Sequence, residues 1–254
     1  MADMTAGAHR GDYGVDGSFH VLSAPVQAGL LAAGCAALTG YAARSAARGR
    51  YRRAGTAAAI TAALLAQAGL YAHATRRGKF AVWAELLDGL RLRGDETVLD
   101  LGCGRGAVLC AVAKRLPRGR AIGVDVWQAD QTGNAEQTTW ANATLEGVAD
   151  RVELHTADIT TLPFDDASVD VVVSNLVIHN IPGRAGRRRA LLEAVRVLRP
   201  GGRLIIADLW ETDRHAAGLA ELGWANVQRR NLGWRMWYGG PWSPTHVVTA
   251  TKPA

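Results

Sequence analysis

Three aspartates stand at the ends of successive apolar segments, a spacing that can bring carboxylates into one cleft. Asp100 lies in VLDLGCGRG at residues 98–106, Asp125 ends the segment IGVD, and Asp158 follows HTA. Open α/β sheets bind ligands beyond the carboxyl ends of their strands, so these acids are candidates for a single site. Asp100 suits a cationic group such as an ammonium, Asp125 can accept both hydroxyls of a ribose, and Asp158 can accept from the exocyclic amine of a base.

Glycines follow the first of these acids. Gly102, Gly104 and Gly106 let the backbone turn tightly and approach a ligand where a Cβ would clash. Gly102, Gly104 and Ala107 also satisfy the dinucleotide fingerprint G-x-G-x-x-G/A. A carboxylate at Asp100 would oppose a bound pyrophosphate, however. The pattern therefore argues against NAD and favours a ligand with a cationic group.

Alternating strand-like and helix-like runs must position these residues. Strands are predicted over residues 97–101, 121–126, 152–156, 169–174 and 203–209, and helices over 107–115, 137–146, 187–198 and 213–222. Two further strand-like runs, 227–237 and 246–251, have no helix between them, which predicts an antiparallel pair. The order predicts an α/β fold with a doubly wound, seven-stranded, mostly parallel sheet.

These segments resemble the class I S-adenosylmethionine-dependent methyltransferases, of the small-molecule type that includes the quinone-biosynthesis enzymes. The resemblance covers residues 97–254 and rests on residues 98–106, GVD at 123–125, ADI at 157–159, LPFDDASVD at 162–170, VSNLVIH at 173–179 and LRPGGRL at 198–204. It implies a Rossmann-like fold and S-adenosylmethionine as the cofactor. It also implies which part of the cofactor each residue contacts. Asp100, Gly102 and Gly104 would meet the methionine part, and Asn175 would lie beside the methionine moiety and the reacting methyl. Asp125, with Val126 beside it, would bind the ribose, and Asp158 and Ile159 would face the adenine.

A general base is needed only if the acceptor must lose a proton. His179, five residues after Ser174 at the end of the fourth strand, is the candidate, because histidine takes up a proton near neutral pH. The alternative is a loop histidine that packs on Pro182. No metal site is expected, because the cysteines (Cys35, Cys103 and Cys110) show no metal-ligand spacing.

The first 80 residues have a different character. They contain nine Lys or Arg and three Asp, so they account for the whole net charge of +6. Residues 21–43 and 54–75 carry no formal charge, and each would form a helix of about 33–35 Å, enough for a hydrocarbon core of ~30 Å. They predict a membrane hairpin, and the alternative is a soluble hairpin packed on the main domain. The expected divisions are a tail at 1–20, two apolar helices at 21–75, a linker and lead-in helix at 76–96, and a methyltransferase domain at 97–254.

The expected function is transfer of a methyl group to a small lipophilic acceptor at the membrane, with the catalytic domain on the cytoplasmic side. Five arginines between the two apolar stretches (Arg44, Arg48, Arg50, Arg52 and Arg53) favour the opposite orientation by the positive-inside rule. One alternative is a non-catalytic, membrane-bound cofactor sensor of the same fold. A nucleic-acid methyltransferase is less favoured and no nucleic-acid partner is expected, because residues 81–254 have no net charge and no basic stripe interleaved with aromatic residues.

Overall fold

The computed structural model describes residues 10–17, 21–128 and 131–254. In this part of the chain the α-helices are α1 (Ala24–Ala47), α2 (Tyr51–His73), α3 (Lys79–Leu90), α4 (Ala107–Ala113), α5 (Glu136–Leu145), α6 (Gly183–Val197) and α7 (Thr212–Glu221). The strands are β1 (Thr97–Leu101), β2 (Arg120–Asp125), β3 (Val152–Thr156), β4 (Val169–Asn175), β5 (Leu198–Asp208), β6 (Gln228–Asn231) and β7 (His246–Thr251).

The strands form one sheet in the order β3-β2-β1-β4-β5-β7-β6, in which β7 runs antiparallel to both of its neighbours and the other pairs are parallel. This confirms the predicted doubly wound α/β fold. The strand order reverses between β1 and β4, and that switch point is where such sheets open a crevice at their carboxyl edge.

Both faces of the sheet are covered, which explains the nearly continuous apolar sequence of its central strands. Val98 of β1 packs in one core cluster with residues of α3, α4 and α5. Its neighbour Leu99 points to the other face and packs with residues of α6 and α7. Because side chains alternate along a strand, β1 is buried on both sides and its last residues are fixed in position.

One predicted strand is shorter than expected. The sequence pattern predicted a strand over 227–237, whereas β6 ends at Asn231 and a short 3-10 turn follows at Trp234–Met236. Gly233, with φ of 76°, turns the chain out of the ladder. Residues 232–245 therefore form a long loop at the carboxyl edge of the sheet, and this loop carries several aromatic side chains.

The two apolar stretches form a helical hairpin, α1 and α2, joined by a short turn at residues 48–50. A π-helical turn, Ala74–Gly78, connects α2 to α3, so a continuous helix runs from Tyr51 to Leu90. The expected linker at 76–96 thus begins inside this helix. Both apolar helices are long and apolar enough to cross a membrane, and little of either is buried inside the protein.

Candidate active site

A cavity of about 420 Å³ lies at the carboxyl edge of the sheet, at the switch point between β1 and β4. One side, called here the acidic half, is lined by Asp100, Gly102, Gly104 and Asp125. The opposite side, called here the histidine half, is lined by Asn175, Val177, His179 and Trp210. A third wall comes from distant parts of the chain and consists of Asp16, Gly17, Tyr71, Lys79 and Tyr238.

Asp100 is the most unusual group of the acidic half. It is 2% exposed, and its Oδ2 is buried without a hydrogen-bond partner. Burial, together with the nearby Asp125 carboxylate, raises the pKa of Asp100 well above its usual range. A buried carboxylate oxygen without a partner is costly unless a donor or a cation reaches it. The acidic half is therefore built to receive a positively charged group.

The glycine turn brings the backbone close to the second acid. Gly104 has φ of 52°, and its N–H donates to Asp125 Oδ2 at 2.8 Å. Asp125 Oδ1 accepts from the N–H of Trp127 at 2.6 Å, so the carboxylate is held firmly at the end of β2. The positive φ of Gly104 favours glycine at this position, and a Cβ there would meet only the end of the Gln131 side chain, at 2.6 Å from Oε1.

The histidine half contains a paired imidazole and carboxylate. His179 Nδ1 lies 2.5 Å from Asp208 Oδ1, and Asp208 also accepts from the backbone N–H of His179 (3.1 Å) and of Leu209 (2.7 Å). Because Asp208 is fully buried at the end of β5 and its carboxylate accepts, Nδ1 is the protonated ring nitrogen. Nε2 is then the nitrogen that can accept a proton, and the edge of the ring meets Trp210 at a centroid distance of 5.2 Å.

Asn175 is fixed by the helix that leads into the domain. Its side-chain Oδ1 accepts from Nε1 of Trp83 at 2.8 Å, and Trp83 of α3 is buried. The helix that continues the hairpin thus holds a residue of the cavity in place.

The structure brings together most of the residues singled out in the sequence. Asp100, Gly102, Gly104, Asp125, Asn175 and His179 all line the one cavity. Val126, Asp158 and Ile159 are not among its lining residues; Ile159 packs in the core beside α6, and exposed Asp158 accepts from the N–H of Thr160 at 2.8 Å. The ligand contacts of all nine residues remain predictions.

Sequence reasoning missed several residues of the site. Asp208 ends β5 just as Asp125 ends β2, so the same strand-end signal could have found it. Asp16, Lys79 and Tyr238 left no comparable signal, since they come from three distant segments that only the folded chain brings together.

The comparison with protein families matches residues 99–206 to a methyltransferase domain. Arsenite methyltransferase of Halobacterium salinarum is 38% identical over 118 residues, which are 46% of this chain and 28% of that protein. Demethylmenaquinone methyltransferase of Lactiplantibacillus plantarum is 36% identical over 126 residues, 49% of this chain and 50% of that protein. The chain therefore spans half or less of the length of these relatives.

Solved structures agree on the fold. The [4+2]-cyclase SpnF superposes with a TM-score of 0.55 at 20% identity, covering 67% of this chain and 81% of that one. Such a likeness establishes architecture and not chemistry. Residues 99–206 thus match a methyltransferase domain, and the strand order and the cleft support the resemblance of residues 97–254 to the class I S-adenosylmethionine-dependent methyltransferases.

Proposed function

We propose that this protein transfers a methyl group from S-adenosylmethionine to a small lipophilic acceptor at a membrane. The observation that carries the proposal is the cavity itself, which combines an unpartnered buried carboxylate with a carboxylate-paired imidazole. The first suits the cofactor and the second suits an acceptor that must lose a proton.

The acidic half fits the cofactor. The unpartnered Oδ2 of Asp100 can accept from the ammonium of the methionine part, which supplies the cation that this buried group lacks. Asp125, held by the backbone N–H groups of Gly104 and Trp127, can take the ribose hydroxyls. The third wall adds the polar groups of Asp16, Lys79 and Tyr238 to the lining of the cavity.

The bound cofactor supplies a methyl group already activated on a sulfonium, so the protein contributes placement and proton transfer. Holding the acceptor atom in line with the methyl supplies much of the acceleration. The bound cofactor would supply the methyl group to the acceptor, and Nε2 of His179 would accept the proton that the acceptor loses. Asp208 keeps the ring oriented and stabilises the imidazolium that results.

Apolar and aromatic groups around the histidine half favour a lipophilic acceptor. Leu176, Val177, Leu209 and Trp210 line the same cavity as His179. Trp210 itself is 60% exposed, which leaves an indole face available at the mouth of the cavity. Indole rings of this kind are enriched where an apolar phase meets water.

The hairpin stands on the same edge of the sheet as the cavity. Its root contacts the loop at 232–245, since His73 stacks on Trp234 with centroids 4.7 Å apart. Trp234 and Trp242 of this loop are 54% and 71% exposed, and Tyr238 meets Tyr71 of α2 edge to face with centroids 5.8 Å apart. Hairpin, exposed tryptophans and cavity mouth on one edge support an enzyme that takes its acceptor from a bilayer.

We place the domain on the cytoplasmic side because the cofactor is cytosolic. The five arginines (Arg44, Arg48, Arg50, Arg52 and Arg53) lie at the closed end of the hairpin, about 35 Å from the domain along α2. Arg76, Arg77 and Lys79 stand at the root of the hairpin and favour the cytoplasmic placement, with fewer charges, and of these Lys79 is paired with Asp16. A reporter fused after residue 254 tests the side, and activity of the reporter outside the cytoplasm contradicts this placement.

Alkaline carbonate extraction tests membrane insertion. Replacing Leu30 and Leu65 together with lysine puts two charges in the exposed apolar faces, each costing about 2.5–3.5 kcal/mol in a bilayer centre. We expect the double variant to leave the membrane fraction. Leu145→Lys, at a similarly exposed leucine of α5, is the matched control and should stay with the membrane. Extraction of the unmodified chain would contradict insertion.

The activity itself is tested with the full chain in lipid nanodiscs, cofactor labelled in its methyl group and an extract of cellular membranes. We expect label in the lipid-soluble fraction with the unmodified protein and none with Asp100→Asn. Cofactor binding without label transfer would favour a sensor. Label in added RNA or DNA would favour a nucleic-acid methyltransferase.

A further inference from the structure

We propose that residues 10–17, called here the strap, are a built part of the cofactor site, with Asp16 as the residue that positions the strap. The inference rests on the proposed function of the cavity. The strap lies far outside the matched residues 99–206, yet Asp16 and Gly17 line the cavity. Its contacts form three groups, each joining it to a different part of the domain.

The first group joins the strap to the glycine turn of the acidic half. Gln131 Oε1 accepts from the N–H of Arg105 at 2.9 Å, while its Nε2 donates to Tyr13 O at 2.9 Å and to Asp16 Oδ1 at 3.0 Å. Arg105 in turn pairs with Asp12 at 2.8 Å. One glutamine and one arginine thus connect the strap directly to the backbone that must face the cofactor.

The second group surrounds the Asp16 carboxylate. Lys79 Nζ donates to both oxygens, at 2.8 and 2.9 Å, and Tyr238 OH donates to Oδ2 at 3.0 Å. Thr75 both donates to this carboxylate and accepts from the N–H of Asp16. Lys79 is 2% exposed, so the pair is shielded from solvent and its loss would leave a buried ammonium unpaired. Asp16 therefore holds the strap, the hairpin root and the 232–245 loop together.

The third group anchors the start of the strap to α5 and the residues after it. Glu146 Oε1 accepts from the backbone N–H of Arg10 and Gly11 and from Tyr13 OH, at 2.9, 3.0 and 2.9 Å. Asn142 donates both to Asp12 O and to Arg105 O, at 2.8 and 2.9 Å. The anchor residue Asn142 thus bonds the strap and the glycine turn at once.

These contacts couple the strap to the cofactor. The glycine turn is held by the partners of Gln131 and Arg105, and three of those partners, Tyr13, Asp16 and Asp12, belong to the strap. Thermodynamic linkage makes the effect reciprocal: if docking of the strap raises the affinity for the cofactor by some factor, the bound cofactor raises the equilibrium constant for docking of the strap by the same factor. A variant that weakens docking of the strap should therefore weaken binding of the cofactor, and added cofactor should stabilise the docked strap.

Gly14→Ala is the sharpest test, because it changes no charge. Gly14 has φ of 61°, and a Cβ there would lie 2.5 Å from Thr132 Oγ1 and 2.8 Å from Arg105 Nη1. Gly201→Ala is the matched control, since Gly201 has φ of 74° with open space around it, on the far side of the domain. Both variants carry similar backbone strain, and only Gly14→Ala displaces the strap.

Calorimetry on the full chain in detergent measures binding of S-adenosylhomocysteine, the product form of the cofactor. We expect Gly14→Ala to lose about tenfold or more in affinity, within the usual range of coupling between sites, and Gly201→Ala to bind like the unmodified protein. Asp16→Asn should lose affinity as well, and Asp16→Asn combined with Lys79→Met should recover part of it, because no buried charge is then left unpaired. Unchanged affinity in Gly14→Ala and Asp16→Asn would overturn the proposal.

Hydrogen exchange gives a readout that a purely structural role would not change. Addition of S-adenosylhomocysteine should slow exchange at the N–H groups of Val15 and Asp16, which donate to Thr132 and Thr75. Slowing confined to the glycine turn would contradict coupling. Failure of the proposed function is distinct, because the unmodified protein would then bind neither S-adenosylhomocysteine nor S-adenosylmethionine.

Discussion

The acidic half and the histidine half of the cavity satisfy their charged groups in different ways. In the acidic half, Asp100 keeps one buried oxygen without a partner. In the histidine half, Asp208 is equally buried but accepts from the imidazole of His179 and from two backbone N–H groups. The acidic half is electrostatically incomplete until a cationic ligand arrives, whereas the histidine half is complete within the protein. Changes in the first should alter cofactor binding and stability together, whereas changes at His179 and Trp210 in the second should alter turnover or the KM for the acceptor and leave cofactor binding unchanged.

Asp100→Asn should have the largest effect. Removing the carboxylate deletes the partner proposed for the cofactor's ammonium, and breaking such a buried pair costs about 2–5 kcal/mol, or about 30-fold or more in affinity. Calorimetry with S-adenosylmethionine measures the loss. Asp150→Asn, at an exposed pair with Arg151, is the control and should leave affinity unchanged.

The same variant should melt at a higher temperature than the unmodified protein near neutral pH. Burial and Asp125 raise the pKa of Asp100 above its unfolded value of about 3.9. The favourable contribution of Asp100 to the free energy of unfolding is therefore fully present below the unfolded pKa, and it is lost as the pH rises through the folded pKa. The variant's advantage should therefore shrink toward acidic pH. If Asp100→Asn were less stable than the unmodified protein at pH 7, or kept its full affinity for S-adenosylmethionine, the acidic half would not differ from the histidine half as described.

His179→Gln should lower kcat by about 10²- to 10⁴-fold while leaving cofactor affinity unchanged, because it removes the proton acceptor and nothing that touches the cofactor. Adding Asp208→Asn to it should cause little further loss, since the carboxylate acts through the imidazole. Steady-state kinetics and calorimetry separate the two effects. His155→Gln, beside Glu153 and outside the cavity lining, is the control. Full turnover in His179→Gln would exclude the base role.

Trp210→Ala should raise the KM for a lipophilic acceptor about fivefold to tenfold, since a partly exposed aromatic wall contributes about 1–1.5 kcal/mol of contact. The KM for S-adenosylmethionine should not change. Trp140→Ala, at an exposed tryptophan of α5 away from the cavity, is the matched control. A shift in the KM for S-adenosylmethionine would mean that the two halves are not separable.

A change at Glu146, which accepts hydrogen bonds from the strap, should have the smallest effect of those predicted here, and that effect is on thermal stability. Burial acts to raise the pKa of Glu146, but hydrogen bonds from Lys114, Gly11 and Tyr13 outweigh it and lower the pKa to about 2. A lowered pKa gives stability that is present above the usual value of 4.5 and is lost as the pH falls toward about 2.

Thermal melts across that range test the assignment. The unmodified protein should exceed Glu146→Gln in melting temperature at pH 7, and the gap should close between pH 4.5 and about 2. Glu153→Gln, at a half-exposed pair with Arg120, should show no such gap. A constant difference at every pH would indicate that the Glu146 carboxylate does not anchor the strap.

Much of the site could be predicted because parallel strands end at one edge. Asp100, Asp125 and His179 are far apart in sequence, yet each lies at or just beyond the carboxyl end of a strand, and the alternating pattern predicts that they meet. The α/β fold followed from the same pattern, since buried central strands have a distinctive apolar sequence.

The strap could not be predicted, and the reason is physical. It is a short polar segment without a periodic pattern, and its stability comes from partners up to 222 residues away, as in the bond between Tyr238 and Asp16. The end of β6 was mispredicted for a related reason, because aromatic residues favour strands while the turn at Gly233 decides where the ladder stops.

The unbroken helix from Tyr51 to Leu90 has a mechanical consequence. Trp83 on this helix donates to Asn175 in the cavity, and Lys79 one turn earlier holds the strap. Because these residues belong to the helix that also forms the second arm of the hairpin, a tilt of the hairpin would move Trp83 and Lys79 with it. The length and direction of this helix would therefore set the distance and the orientation of the domain relative to any membrane that holds the hairpin.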